Sequence, residues 1–157
     1  MTSDDNQNYI DRLMVCVNRI NGIYYLVARK LGMKENTLAL FYALNDGGVH
    51  TQKEISEEWL IPKTTVNTVV KECVEKGYIT LIHSGHTREK SLALTEAGRN
   101  YAQSILGSTY QAEQKATERT VEEFSPEFVE VLEHFTEYLC QEFHSEILDK
   151  KDTYHRG

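Results

Sequence analysis

Thr51-Gln52-Lys53-Glu54-Ile55-Ser56 and, a few residues on, Ile61-Pro62-Lys63-Thr64-Thr65-Val66-Asn67-Thr68-Val69-Val70 decide the architecture. The first run is a capping box. The Thr51 hydroxyl and the Glu54 carboxylate each satisfy a backbone amide that a helix start leaves orphaned. A short helix to about Trp59 follows. Pro62 suits the first turn of a second helix, where its missing N–H is no loss. Val66, Val69, Val70 and Cys73 give that helix one apolar stripe, with Lys63, Thr64, Asn67, Thr68 and Lys71 mostly off it, and Gly77 ends it.

Downstream, Tyr78-Ile79-Thr80-Leu81-Ile82 is β-branched and aromatic, and Ser91-Leu92-Ala93-Leu94 alternates polar with apolar. The polar run 83–90 between them predicts a two-stranded hairpin. Helix, tight turn, helix and hairpin, all within residues 51–95, make a winged helix-turn-helix in a mainly α (α+β) chain.

Long helices flank this middle. Ile10, Leu13, Met14, Val17, Ile20, Tyr24, Val27, Ala28 and Leu31 recur at helical spacing up to the stop at Gly32, and a shorter helix is expected over about 35–45. Thr95 is placed to cap a helix running to about Glu122. Ser125-Pro126 provides a cap and first-turn proline for a last one, whose stripe is Phe128, Val131, Leu132, Phe135, Leu139, Phe143 and Ile147. The expected organisation is one domain over 1–157, with a winged part at 35–98 and helical parts at 5–32 and 99–150.

Composition excludes several classes. At 157 residues, the chain is long enough for one core without metal or disulfide support. Cys16, Cys73 and Cys140 are odd in number and far apart, which suits free thiols in a reducing cytoplasm. No apolar run approaches a membrane span, and the N-terminus is acidic, unlike a signal peptide. No nucleophile motif, glycine-rich phosphate loop or paired catalytic residues suggest an enzyme, and neither a metal-ligand pattern nor a cofactor motif is visible.

The net charge of −7 has the wrong sign for indiscriminate coating of nucleic acid. Its distribution matters more. Residues 1–49 and 50–100 are each balanced, whereas 101–149 hold eleven acids against Lys115 and Arg119. The middle is therefore free to present a local cationic face. An α-helix about 10–12 Å across fits a major groove, and its amino end favours phosphate. Lys53 on the first helix of the motif, then Lys63, Thr64, Thr65, Asn67, Thr68 and Lys71 on the second, with Arg88 and Lys90 on the hairpin, are the candidate DNA-binding residues. An arginine on a thin β-loop is suited to a narrow minor groove. The plainer alternative is that the threonines are ordinary surface residues and Arg88 a solvated charge beside Glu89. The acid-free first turns and the cationic loop favour nucleic acid when taken together.

Over nearly its whole length the chain resembles the MarR family of bacterial transcriptional regulators. Residues 51–56 resemble the first helix of the family's motif and residues 61–70 its recognition helix. Glu75-Lys76-Gly77-Tyr78-Ile79 is similar to the exit into the wing, and Leu94-Thr95-Glu96-Ala97-Gly98 to the leucine-threonine-x-x-glycine signature after it. The resemblance places Arg88 at the family's minor-groove arginine, with His86 where an aspartate usually stands. A protonated His86 would add a cation there below roughly pH 6.5.

The resemblance implies a homodimer built from the terminal helices and an inverted-repeat operator on double-stranded DNA, with half-sites about 10 bp apart or a multiple of it. It also implies a small aromatic effector, with tyrosines and methionines of the first helix as possible pocket residues. Two other readings remain open: a winged-helix module that docks on protein, and a thiol-based redox switch using Cys16. A cysteine at helical spacing from Leu13 and Ile20 is more often a packing residue, and the same reading extends to Cys73 and Cys140.

Overall fold

The computed structural model describes residues 3–83 and 90–150. Six α-helices and three short strands follow one another as α1 (Ser3–Lys30), α2 (Glu35–Leu44), β1 (His50–Thr51), α3 (Gln52–Glu58), α4 (Lys63–Glu75), β2 (Ile79–His83), β3 (Lys90–Leu94), α5 (Glu96–Glu123) and α6 (Phe128–Phe143). This is the expected winged helix-turn-helix between long terminal helices. Two compact units result, Met1–Thr109 and Tyr110–Gly157, with the boundary inside α5.

The first unit holds the core. Leu38, Phe41 and Leu44 of α2, Ile55 of α3, and Val66, Val69, Val70 and Cys73 of α4 pack with Ile79, Leu92 and Leu94 of the sheet and Ala102, Ile105 and Leu106 of α5. Burying each large apolar side chain contributes about 1.5–3 kcal/mol, so these residues fix the position of α4. Among the described residues of α1 only Ala28 is fully buried there; Tyr24 and Val27, and Leu31 just beyond the helix, are partly so. Of the rest of the predicted stripe, Leu13 is half-buried and Ile10, Met14, Val17 and Ile20 are exposed.

The helix ends follow the sequence signals. At the close of α4, Gly77 takes φ +74°, and its N–H donates to the Val74 carbonyl (2.9 Å) while the Tyr78 N–H donates to Cys73 (2.9 Å). This doubled closure uses up carbonyls that a helix end would leave orphaned, and it needs a residue without a β-carbon penalty at positive φ. The Thr51 capping box is complete: the Glu54 N–H donates to the Thr51 hydroxyl (3.1 Å), and the Thr51 N–H donates to the Glu54 carboxylate (2.7 Å).

The sheet has three strands, ordered β1-β3-β2 and antiparallel throughout. β1 was not foreseen: His50 faces Leu92 and Thr51 faces Ser91, so Thr51 both ends a strand and caps a helix. Two residues are too few to show a period of two.

In the second unit, α6 starts later than its Ser125-Pro126 signal suggests. Pro126 sits in a preceding turn, in which the Ser125 hydroxyl accepts from the Glu127 N–H (3.2 Å), and the first helical residue is Phe128. A π-helical turn, His144–Leu148, continues the helix and carries Ile147. None of the α6 residues is buried; Leu132, Phe135, Leu139 and Phe143 are all exposed.

Candidate nucleic-acid interface

The turn from α3 to α4 determines how α4 is presented. The Ser56 hydroxyl, itself buried, donates to the Ile61 carbonyl (2.7 Å) and holds the turn from inside. Leu60 reverses the chain at φ +48° with its side chain 81% exposed. Pro62 then stands one residue earlier than expected, as the N-cap in extended backbone (ψ 135°) instead of in the first turn. Its carbonyl accepts from Thr65 (2.9 Å) and Val66 (3.0 Å), so the proline starts the helix through its oxygen and needs no N–H.

With Val66, Val69, Val70 and Cys73 buried, the opposite face of α4 lies open. Lys63, Thr64, Asn67, Thr68 and Lys71 are exposed on it, and Thr65 is half-buried at its edge. The first turn contains no acid. Lys53 is exposed on α3, and Lys90 is exposed on β3 opposite His83, at the mouth of the hairpin. Arg88 and His86 lie outside the described residues. The Thr68 hydroxyl donates to the Thr64 carbonyl (2.9 Å), which commits its proton and leaves its oxygen able only to accept.

Two acids approach this face, and both meet cations. The Lys34 ammonium contacts the Glu72 carboxylate at 2.6 Å, and its hydrogen bond holds the Glu72 carboxyl below its ordinary value. Lys71 stands 4.0 Å from Glu75, an exposed pair too loose to contribute much. The Lys34 contact ties the loop before α2 to the last turn of α4. Thirty-eight residues separate the partners, so no local pattern could have indicated it.

The wing is fixed to the same body by Thr95. Its hydroxyl donates to the Gly77 carbonyl (2.7 Å) and accepts from the Gly98 N–H (2.9 Å), so one side chain caps α5 and fastens it to the α4 exit. Arg99 donates to the Leu94 carbonyl (2.8 Å) and is thereby occupied within the fold.

A cleft of about 410 Å³ opens between α1, α2 and the α3–α4 turn. Tyr24 and Tyr42 meet edge-on there (6.0 Å, 90°), Trp59 and Ile61 form the wall towards α4, and Asn21, Glu35 and Asn36 supply polar groups. Among the three cysteines Cys73 is buried, and burial raises its thiol pKa. Cys16 and Cys140, expected to be packing residues, are exposed. Among the described residues no group of three His, Cys, Asp or Glu side chains could hold a metal ion, and no helix is long and apolar enough to cross a membrane.

Residues 31–88 match the model of the MarR family. No curated protein sequence matches the chain. The fold is similar to that of a MarR family regulator from Neisseria meningitidis, with a TM-score of 0.71 at 24% identity over 91% of this chain and 99% of that one. A MarR family transcriptional regulator from Silicibacter pomeroyi gives 0.69 at 16% identity, covering 85% and 96%. Staphylococcus aureus MarR, solved with salicylate and kanamycin, gives 0.66 at 20% identity, covering 89% and 95%. The family model thus bears out the MarR resemblance over residues 31–88, and the structural likeness bears out the expected fold over most of the chain.

Proposed function

From a chain whose residues 31–88 carry the MarR-family match, we propose a homodimeric, sequence-specific regulator of transcription, a repressor, that binds double-stranded DNA and is modulated by a small aromatic effector. The observation that carries this reading is the exposed α4 face of Lys63, Thr64, Asn67, Thr68 and Lys71, free of acid in its first turn and backed by a buried valine stripe. Lysines there engage phosphates, while Asn67 and the Thr68 oxygen, as an acceptor, read base edges. Thr65 and Lys53 support the contact from its margins. Lys90 directs the wing, and Arg88 enters the adjoining minor groove.

In this reading residues 35–98 form the DNA-binding part, and 5–32 with 99–150 form the dimerisation part, acting in the cytoplasm. Its support is the exposed apolar surface of each terminal helix taken separately: Ile10, Met14, Val17 and Ile20 on α1, and Val131 (65% exposed), Leu132 and Phe143 on α6. Apolar surface in such runs marks an interaction site. Two α4 helices related by a twofold axis then require an inverted-repeat operator.

The test is a gel shift on the DNA upstream of the protein's own gene, with Lys63→Ala and Arg88→Ala alongside wild type, and sedimentation of the free protein. A dimer whose complex weakens in both variants is the expected result. A micromolar monomer, or variants that bind like wild type, would contradict it. The exposure of Cys16 favours a second reading, a thiol switch. Peroxide-induced release that persists in Cys16→Ser would remove that reading.

A further inference from the structure

The cleft beside the α3–α4 turn has one formal charge, and it is negative. Its lining includes Tyr24, Tyr42 and Trp59, whose faces suit an aromatic or aliphatic body, and the amides of Asn21 and Asn36. Among the described residues Glu35 is the only ionisable acid or base other than tyrosine on its walls, and no lysine, arginine or histidine lines it. The neighbouring Lys34 does not neutralise Glu35, because its ammonium is held by Glu72 at 2.6 Å. The Glu35 side chain has no hydrogen bond or ion pair among the described residues. Glu35 is exposed at the start of α2 and shares the cleft lining with three aromatic rings, so the cleft offers a cation both direct charge and ring faces, and its carboxylate repels an anion.

We propose that this cleft binds small amphiphilic amines, with the protonated nitrogen at Glu35 and the apolar body against Tyr24, Tyr42 and Trp59, in preference to carboxylates of the same shape. This rests on the reading of the chain as a ligand-modulated regulator and specifies the ligand class. A volume of about 410 Å³ admits a ligand of one or two rings. An occupant pressing on Trp59 and Ile61 bears on the turn that sets α4, since Ile61 is itself tied to Ser56.

Trp59 is the only tryptophan in the chain, so its emission reports occupancy directly. Phenylbutylamine, phenylbutanol and phenylbutyrate share one body and differ in charge, and each is titrated into the full chain at neutral pH. The amine is expected to bind about tenfold more tightly than the alcohol, with the acid weakest. Glu35→Gln should bring the amine to the affinity of the alcohol while leaving the alcohol unchanged, which also shows that the variant is folded. Acid binding as tight as the amine, or an amine affinity unmoved by Glu35→Gln, overturns the charge preference while leaving the cleft as a ligand site. Silence of Trp59 towards all three overturns the cleft itself. An amine that binds in the cleft yet leaves DNA affinity unchanged in a gel shift upholds the preference and defeats the regulatory reading.

Discussion

A β-carbon on Gly98 would stand 1.9 Å from the carbonyl oxygen of Tyr78. That oxygen also accepts from the Thr95 N–H (3.0 Å), so α5 leaves the sheet pressed against the backbone that leads into β2. The leucine-threonine-x-x-glycine pattern thereby gains a physical meaning: threonine fastens the junction, and glycine makes room for it. Gly98→Ala forces this junction apart, because the opposing atom is backbone and cannot swing aside. A loss of about 3 kcal/mol is expected in urea unfolding, as for severe overpacking. An unchanged midpoint would show that the contact is looser than described.

Leu60 presents the reverse case. It holds φ +48° while 81% exposed, so its side chain recovers little burial for a conformation that favours glycine. Leu60→Gly removes that strain at the cost of a freer unfolded chain, and a net gain of about 0.5 kcal/mol is expected in thermal or urea melts. Destabilisation would mean that Leu60 makes a contact worth more than its backbone strain.

At the start of α3, Thr51→Ala removes the hydroxyl half of the capping box and should cost about 1 kcal/mol. Thr51→Ser keeps the oxygen and should restore most of it. If both variants fall equally, the methyl group and not the cap is responsible.

The Lys34 ammonium lowers the Glu72 carboxyl below its usual 4.5, so the folded state binds this proton less readily than the unfolded state. The stabilisation is therefore complete above about pH 5 and drains as pH falls through 4.5 and then through the folded value. The stability difference between wild type and Glu72→Gln should be level from neutral pH to that point and shrink below it. A difference that is flat into strong acid would deny the ion pair a role.

Much of this molecule was legible in its residues because the strongest signals are local. Thr51 with Glu54, Gly77 after Cys73, and the Val66, Val69, Val70, Cys73 stripe each act within one or two turns, and each forms as read. What escaped depends on distance or on a single backbone angle. β1 exists only because β3 pairs with it, Lys34 meets Glu72 across the fold, and Leu60 takes a conformation that its side chain does not advertise. Pro126 shows a further limit. Proline opens a turn as readily as a helix, and α6 waits two residues before it begins. Of the candidate site, the exposed α4 residues were recognisable by periodicity, whereas the Glu35 cleft is assembled from three elements, and only its first-helix tyrosine, Tyr24, was signalled by the sequence.

The most direct test of the α4 face is the salt dependence of its DNA affinity, measured by fluorescence anisotropy on a labelled duplex from upstream of the gene. If Lys63 neutralises a phosphate, the plot of log K against log salt is steep and negative for wild type, and Lys63→Ala makes it shallower by about 0.9. A wild-type affinity indifferent to salt, or a slope that the substitution leaves untouched, would contradict DNA binding through this helix.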